Sequence, residues 1–404
     1  MKLPVALVVT LLLCPSVSAA QEAPPLDAKS LQIALAAKPE GAEAERLAEQ
    51  IRRTFGGRDS LLRGAAPLVD ELTVAWAIEL PGWTAPANLP APRVWRPSGN
   101  AGYPMTRVGT TDVYAVVRKL SHGTAFTWSY DAGNNRRLGG GNLEVYETHP
   151  DSRIRTDVPK GKLTQMPPWR SKIFPGTTRD WWVYVPAQYR PETPAAVMVW
   201  QDGNNQKNYV PTVMDNLMAK GDIPVTVTVF IEPGGVKAAR DNRSFEYDTL
   251  SDQYARFLLE EMLPEVSKVA RLRTDAAGRA VAGESSGGIC AFTVAWERPN
   301  EFSKVLSWVG SFVNIAAGES LRAGGHNYEA LVHRVPVKPI RIFMQDGVND
   351  NDSTAGSWWL ANVTLARSLG FAGYDYRFEQ GQGWHNNNHM RAVLPDALRW
   401  LWRN

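Results

Sequence analysis

The sequence predicts a chain in two parts: a small all-β domain, then a larger α/β domain with a mostly parallel central sheet. Two changes of pattern and one motif carry that expectation. Within residues 72–146, short runs alternate apolar and polar residues between turn signals, as half-buried antiparallel strands do. From Trp181 onward the strand-like runs become continuously apolar and alternate with helix-like segments, as in a sheet covered on both faces. Inside this second part lies Gly283-Glu-Ser-Ser-Gly287, a G-x-S-x-G pattern. An apolar run (residues 280–282) precedes it and a helix-like run (residues 289–296) follows.

Residues 1–20 are expected to be a secretory signal peptide, which makes the protein secreted or periplasmic. Lys2 opens the segment, residues 3–13 are almost wholly apolar, and Ser18-Ala19-Ala20 offers small residues for cleavage. The run is too short to span a membrane. Leu12 and Leu13 stand where a lipid-attachment site at Cys14 needs small residues, which argues against an anchor there. Cys290 is then the only cysteine of the mature chain, so its stability must come from a hydrophobic core. A net charge of +3 gives no reason to expect nucleic acid or an anionic membrane as partner.

Residues 21–66 are expected to form a leader and a helical segment. In residues 41–55, Ala44, Leu47, Ile51 and Phe55 recur at helical spacing, and Gly56-Gly57 ends the run. Residues 67–150 are expected to form an immunoglobulin-like β-sandwich, with strands at 72–80, 112–118, 124–130 and 143–146. Residues 151–170, with Pro159, Pro167 and Pro168, read as a linker. Residues 171–404 are the α/β domain. Its strands are expected at 181–185, 196–200, 225–231, 304–309, 340–344 and 374–378, with a long helix at 251–269 and further helices at 210–220, 357–369 and 392–402. The 15 tryptophans are mostly expected in cores, although exposed aromatic rings also build sugar-binding surfaces.

A serine on a strand-to-helix turn becomes a nucleophile only with a base, an acid and oxyanion donors. Where such a turn is catalytic, the acid follows the serine in the chain and the histidine follows the acid. His326 and His333 precede the acid candidates. His385 sits in Gly381-Gln-Gly-Trp-His-Asn-Asn-Asn-His389, between the last strand and the last helix, at the carboxyl edge of the sheet. His389 is expected to begin the following segment. The acid candidates lie in Gln345-Asp-Gly-Val-Asn-Asp-Asn-Asp352. Asp350 suits the orienting role, and Asp346 competes, its ordinary task being to tie the loop. One oxyanion donor is the Ser286 N–H. The other is expected from Gln201-Asp-Gly-Asn204, where Gly203 turns the backbone inward, Asp202 folds the loop and the Asn204 N–H points at the substrate.

Arg243 and Glu246, in Arg240-Asp-Asn-Arg-Ser-Phe-Glu-Tyr-Asp248, are candidate substrate-pocket residues; an ion-paired, helix-capping loop is the plainer alternative. Trp384, Trp358 and Trp359 are candidates to flank a planar or sugar-like substrate, with core packing as the alternative for each. Glu284 sets a carboxylate directly before the nucleophile and needs a polar partner there. No metal-ligand or phosphate-loop motif occurs, and no cofactor or metal is expected.

Six ordered blocks over residues 171–404 resemble the esterase D and enterochelin esterase-like branch of the α/β-hydrolases. That branch also holds feruloyl and acetyl xylan esterases of the first carbohydrate esterase family. The blocks are Arg179-Asp-Trp-Trp-Val-Tyr-Val-Pro186, Trp200-Gln-Asp-Gly203, Arg243-Ser-Phe-Glu-Tyr-Asp248, Gly283-Glu-Ser-Ser-Gly-Gly288, Gln345-Asp-Gly-Val-Asn-Asp350 and Gly383-Trp-His385. The resemblance implies Ser285 as nucleophile, Asp350 as acid, His385 as base and Asn204 as an oxyanion donor. The β region resembles the early-set, glycogen-binding-like sandwich that precedes such domains. The function expected is an exported serine esterase acting on feruloyl or acetyl esters of plant polysaccharide, with the β domain as a candidate polysaccharide contact. Two alternatives stand beside it. One is hydrolysis of a catechol siderophore trilactone; export and the few cations near Ser285 count against it. The other is a non-catalytic carbohydrate-binding protein on a hydrolase scaffold; the intact set Ser285, Asp350 and His385 counts against that.

Overall fold

The structure, a computed structural model, describes residues 24–97, 102–235, 242–315 and 324–404. The expected signal peptide (residues 1–20) and Arg240 lie outside the described residues. The chain divides into two compact units, Met1–Arg118 with Ser129–Gly141, and Lys119–Trp128 with Asn142–Asn404.

In the first unit the expected helical segment forms the helices Ala28–Ala36, Gly41–Thr54 and Arg58–Arg63. Leu31, Ala44, Leu47, Ile51 and Leu61 share one apolar core with Ala75, Ala77, Val113 and Ala115 of the strands. Two four-stranded sheets follow. The first runs, in spatial order, Leu68–Asp70, Thr73–Glu79, Val113–Lys119 and Thr106–Arg107. The second runs Tyr103–Pro104, Arg93–Trp95, Thr124–Asp131 and Arg137–Val145. Two aromatic rings of these strands carry guanidinium groups. Arg137 lies 4.5 Å over the Trp95 ring, and Arg96 and Arg118 lie 5.1 and 5.6 Å from the Tyr103 ring centre.

The second unit is built on eight strands: β1 (Lys162–Gln165), β2 (Trp181–Val185), β3 (Ala196–Gln201), β4 (Thr226–Ile231), β5 (Arg279–Glu284), β6 (Lys304–Trp308), β7 (Arg341–Gly347) and β8 (Asp375–Gly381). Their spatial order is β8-β7-β6-β5-β3-β4-β2-β1. The six from β4 to β8 are parallel, and β2 and β1 add antiparallel at one edge. Successive side chains of a strand point to opposite faces, and here both faces are buried. Val197, Val199 and Val281 enter one core with Ile289, Phe292 and Phe257; Met198, Trp200 and Ala282 enter the other with Met214, Leu217, Leu394 and Leu398. This two-sided burial explains why the strands read as continuous apolar runs. Each fully buried large side chain contributes roughly 1.5–3 kcal/mol.

Two expectations are corrected. Residues 151–170 are not only a linker, because Lys162–Gln165 pairs with β2 as the sheet edge. Leu163 is its only large apolar residue and is exposed, so no burial pattern marks the strand; a polar, Lys-bearing run is how natural edges are protected. The long helix expected at 251–269 is also not uniform. It runs α at Gln253–Arg256, π at Phe257–Met262 and α again at Leu263–Ser267. Pro264 has no N–H to donate to the preceding turn, which accounts for the wider stretch ahead of it. Among the described residues, no helix is long and apolar enough to cross a membrane.

Candidate active site

Strand β5 ends at Ser285, which has φ 56° and ψ −121°, and helix α1 (Ser286–Glu297) starts at the next residue. Positive φ on a residue with a Cβ is strained and persists only where the surroundings enforce it. Two glycines do so here. A Cβ on Gly283 would lie 2.2 Å from the Gly287 carbonyl oxygen, and one on Gly288 would lie 2.6 Å from Ser307 Oγ. The strand and helix can therefore meet only through glycine. The Ser285 N–H donates to the Trp308 carbonyl at 3.0 Å, which fixes the turn to β6.

His385 lies in the loop between β8 and helix α2 (Asn388–Trp402). Its Nε2 is 2.8 Å from Ser285 Oγ, and its Nδ1 is 2.6 Å from Asp350 Oδ1. Asp350 closes a short turn after β7, its N–H donating to the Gly347 carbonyl at 3.0 Å. The acid and base loops are stitched together. Val348 and Asn349 donate their N–H groups to the carbonyls of Gly381 and Gly383, and a Cβ on Gly347 would lie 2.3 Å from the Gly383 oxygen. Asp346 does not compete for His385. It is fully buried, and its Oδ1 accepts the Gly347 N–H at 2.7 Å. Burial, and then its hydrogen bond with Asp350, push its carboxyl far above the ordinary carboxylate range.

The Ser286 N–H belongs to the first turn of α1, where an amide has no helical carbonyl to bond. The loop after β3 lies against this helix end, since a Cβ on Gly287 would sit 3.0 Å from Asp202 Oδ2. Asp202 adopts a left-handed backbone, and Gly203 begins a short helix over Gly203–Gln206. The Asn204 N–H, expected to face a substrate, donates instead to Glu232 Oε1 at 2.7 Å. Glu232 went unnoticed in the sequence because it is an isolated acid past the end of β4. Burial raises its carboxyl above the ordinary range.

Of the expected pocket residues, Arg243 grips Asp202 with two hydrogen bonds, 2.8 and 2.7 Å, and also reaches the Glu284 carbonyl at 3.4 Å. Glu246 is not a pocket residue. Its carboxylate is buried in a bidentate pair with Arg179 (2.7 and 2.9 Å) and also accepts from Asn242 Nδ2 at 2.6 Å. Both side chains of that pair are wholly inaccessible. Glu284 finds its partner in Asn387, whose Nδ2 donates at 2.8 Å, while Asn387 Oδ1 accepts the Trp308 indole N–H at 2.7 Å. Burial raises the Glu284 carboxyl above its ordinary range.

Trp384 is half-buried, and its N–H donates to Glu144 Oε1 at 2.9 Å. The same oxygen accepts Asn386 Nδ2 at 2.6 Å, so Glu144 holds the loop on both sides of His385. Trp358 is buried beside the base, with its ring edge-on to the imidazole at 5.8 Å. Trp359 packs against Phe378. His389 begins α2 and faces Gln345. His326 and His333 lie in and beside the helix Tyr328–Arg334, where His333 meets Ser368. Among the described residues, no group of three or more His, Cys, Asp and Glu is placed to hold a metal ion.

A protein-family model described as putative esterase matches residues 173–401. The iron(III) enterobactin esterase of Dickeya dadantii is 24% identical over 247 residues, which is 58% of this chain and 53% of that protein. The chain thus spans about half the length of this curated relative. Among solved structures, the ferric enterobactin esterase of Salmonella typhimurium superposes with a TM-score of 0.58 at 19% identity, covering 82% of this chain and 93% of that one. The enterobactin esterase of Shigella flexneri gives 0.56 at 19% identity, covering 84% and 96%. A ferulic acid esterase of the first carbohydrate esterase family from Anaeromyces mucronatus gives 0.50 at 16% identity, covering 64% and 96%. At these identities the likeness is one of fold.

Proposed function

The chain belongs to the putative esterase family, and from that membership we propose that it is a serine esterase with Ser285 as nucleophile, His385 as base and Asp350 as acid. The observation that carries the reading is the unbroken run Ser285 Oγ to His385 Nε2 (2.8 Å) and His385 Nδ1 to Asp350 Oδ1 (2.6 Å). Ser285 Oγ attacks the ester carbonyl as its proton passes to His385 Nε2. Asp350 keeps the Nδ1 proton in place and stabilises the imidazolium. The tetrahedral oxyanion takes the N–H groups of Ser286 and Asn204, the latter exchanging its Glu232 carboxylate for the substrate oxygen. His385 then protonates the leaving alcohol, the C–O bond breaks, and the acyl group stays on Ser285. Water, deprotonated by His385, attacks the acyl-enzyme and releases the acid.

The substrate we favour is a neutral ester, feruloyl or acetyl, on plant polysaccharide. The charges around Ser285 support this. Asp202, Glu232 and Glu284 are acidic; Arg243 is bonded to Asp202, and Lys207 to the Asn204 carbonyl. Arg243 and Lys207 are thus already engaged by protein oxygens, which disfavours a highly anionic ferric siderophore there. One observation favours the trilactone reading: the enterobactin esterase structures span 82–84% of the chain, and the feruloyl esterase from Anaeromyces mucronatus spans 64%. The signal peptide expected at residues 1–20 supports the polysaccharide ester. The test is a panel of p-nitrophenyl acetate, methyl ferulate, acetylated xylan and a catecholate trilactone, run on wild type and Ser285→Ala. Cleavage of ferulate or acetyl esters, lost in Ser285→Ala, is expected. Turnover of the trilactone alone would overturn the substrate assignment.

A further inference from the structure

Strand β6 leads into a turn that takes no part in the chemistry described so far. Val309, a β-branched residue, has φ 42° and is fully buried. Such a conformation is an outlier that surrounding contacts must enforce. The Val309 N–H donates to the Gln345 carbonyl of β7 at 2.8 Å, and two further contacts join the turn to Ser285. Its N–H donates to the Trp308 carbonyl and its carbonyl accepts the Ser311 N–H, both at 3.0 Å. The strained turn therefore clasps the strained nucleophile from two sides. Its result is to set Ser311, wholly buried, with Oγ 3.1 Å from Ser285 Oγ. The helix α3 (Trp358–Ala372) grips the turn from behind, one helical turn apart: Trp358 Nε1 donates to Ser311 Oγ at 3.0 Å, and Asn362 Nδ2 donates to the Gly310 carbonyl at 2.8 Å.

The directions of these bonds are fixed by their ends. An indole N–H can only donate, so Ser311 Oγ accepts from Trp358. A carboxylate can only accept, so Asp350 Oδ1 accepts the hydrogen bond of His385 Nδ1–H; with the ring proton on Nδ1, Nε2 is the acceptor. Ser285 therefore gives its proton to Nε2, and Ser285 Oγ is left to accept from Ser311. We propose that Ser311, anchored by the Trp358 indole, is a positioning residue for Ser285: its hydroxyl donates to Ser285 Oγ and so aims the Ser285 proton at His385. This rests on the reading of Ser285, His385 and Asp350 as a triad. The same donor remains on Oγ when it becomes the leaving oxygen of the acyl-enzyme, so acylation and deacylation both depend on it.

The test is a double-mutant cycle on the full chain: wild type, Ser311→Ala, Trp358→Phe and the double variant, with Ser285→Ala as control. The readouts are the rate constant for phosphonylation by a fluorophosphonate, kcat and KM for p-nitrophenyl acetate, and thermal melting. Ser311→Ala is expected to lower phosphonylation and kcat about tenfold, the size of one buried hydrogen bond, with KM within about twofold. Trp358→Phe is expected to lower the rate in the wild-type background and to change it less than about twofold once Ser311 is alanine. Loss of ring packing alone would lower the rate equally in both backgrounds, and that result overturns the proposal. So does a wild-type rate in Ser311→Ala. Should Ser311→Ala fail to fold, a wild-type rate in Trp358→Phe is the overturning result. Labelling that persists in Ser285→Ala, or wild type that does not label, defeats the triad reading and this inference with it. Labelling of wild type at Ser285 with an unchanged Ser311→Ala defeats this inference alone.

Discussion

Removing the Glu144 carboxylate tests whether the base-bearing loop is held from a distance. Glu144 Oε1 accepts the Trp384 N–H at 2.9 Å and Asn386 Nδ2 at 2.6 Å, which brackets His385 from both sides. The loop is also held from the Asp350 side by Val348 and Asn349, and at its far end by Asn387, which bonds Glu284 and Trp308. A hydrogen bond to a charged group contributes about 1.5–3 kcal/mol, and Glu144 is half-buried, so the low end applies to each bond. Glu144→Ala should therefore destabilise the second unit by about 3 kcal/mol. That is a fall of roughly 6–12 °C in its melting temperature. The effect on rate has a different origin. Displacing a catalytic group by about 1 Å costs on the order of a hundredfold. We expect kcat/KM to fall between about tenfold and a hundredfold, with most of the loss in kcat because the substrate contacts stay in place. Glu144→Gln keeps an acceptor oxygen in the same place and should remain within about fivefold of wild type. The assay is p-nitrophenyl ester hydrolysis well below each variant's melting temperature. A Glu144→Ala enzyme that has lost stability but keeps wild-type kcat/KM would refute the reasoning.

Two buried carboxyls give a pH signature. Asp346 and Glu284 both have folded-state pKa values raised, in each case chiefly by burial. A raised acid contributes stability that is complete below its unfolded value, roughly pH 4, and is lost as pH rises through the folded value. Asp346→Asn has no proton to lose, so its melting temperature relative to wild type should climb from pH 4 to pH 8. Glu284→Gln should also climb relative to wild type as pH rises above about 4; a constant offset in differential scanning calorimetry would contradict both. Arg179→Met strands the Glu246 carboxylate in a wholly buried site and should cost about 3–5 kcal/mol, which thermal melting would detect. A change under about 1 kcal/mol would mean that Glu246 is not held as a buried ion.

The parts of the site legible in the sequence are those with a local signature. The elbow carries glycines at positions where a Cβ would collide, and the apolar strands carry the two-sided burial of the sheet. Chain order narrowed the histidines to His385, because a late loop between the last strand and the last helix opens at the same sheet edge as the elbow. Other features had no such mark. Glu144 lies 240 residues from Trp384, and only the folded chain brings the two together. Ser311 follows an ordinary apolar strand, and nothing in Trp308-Val-Gly-Ser311 announces a positive φ at valine. Glu246 and Arg179 are 67 residues apart, so their pairing was invisible and Glu246 read as a candidate pocket residue. The edge strand Lys162–Gln165 was missed because pairing by backbone alone leaves no hydrophobic pattern. The Asn204 amide was expected to face the substrate, and Glu232, which reaches it from the neighbouring strand end, had no mark in the sequence.

The central claim is that Ser285 carries the acyl group. Mixing the enzyme with a fluorophosphonate, or trapping it with a slow p-nitrophenyl ester, and mapping the modified peptide by mass spectrometry tests it directly. The account predicts a single adduct on Ser285, absent in Ser285→Ala and formed far more slowly in His385→Ala. Full ester hydrolysis by Ser285→Ala, or an adduct on any other residue, would contradict it.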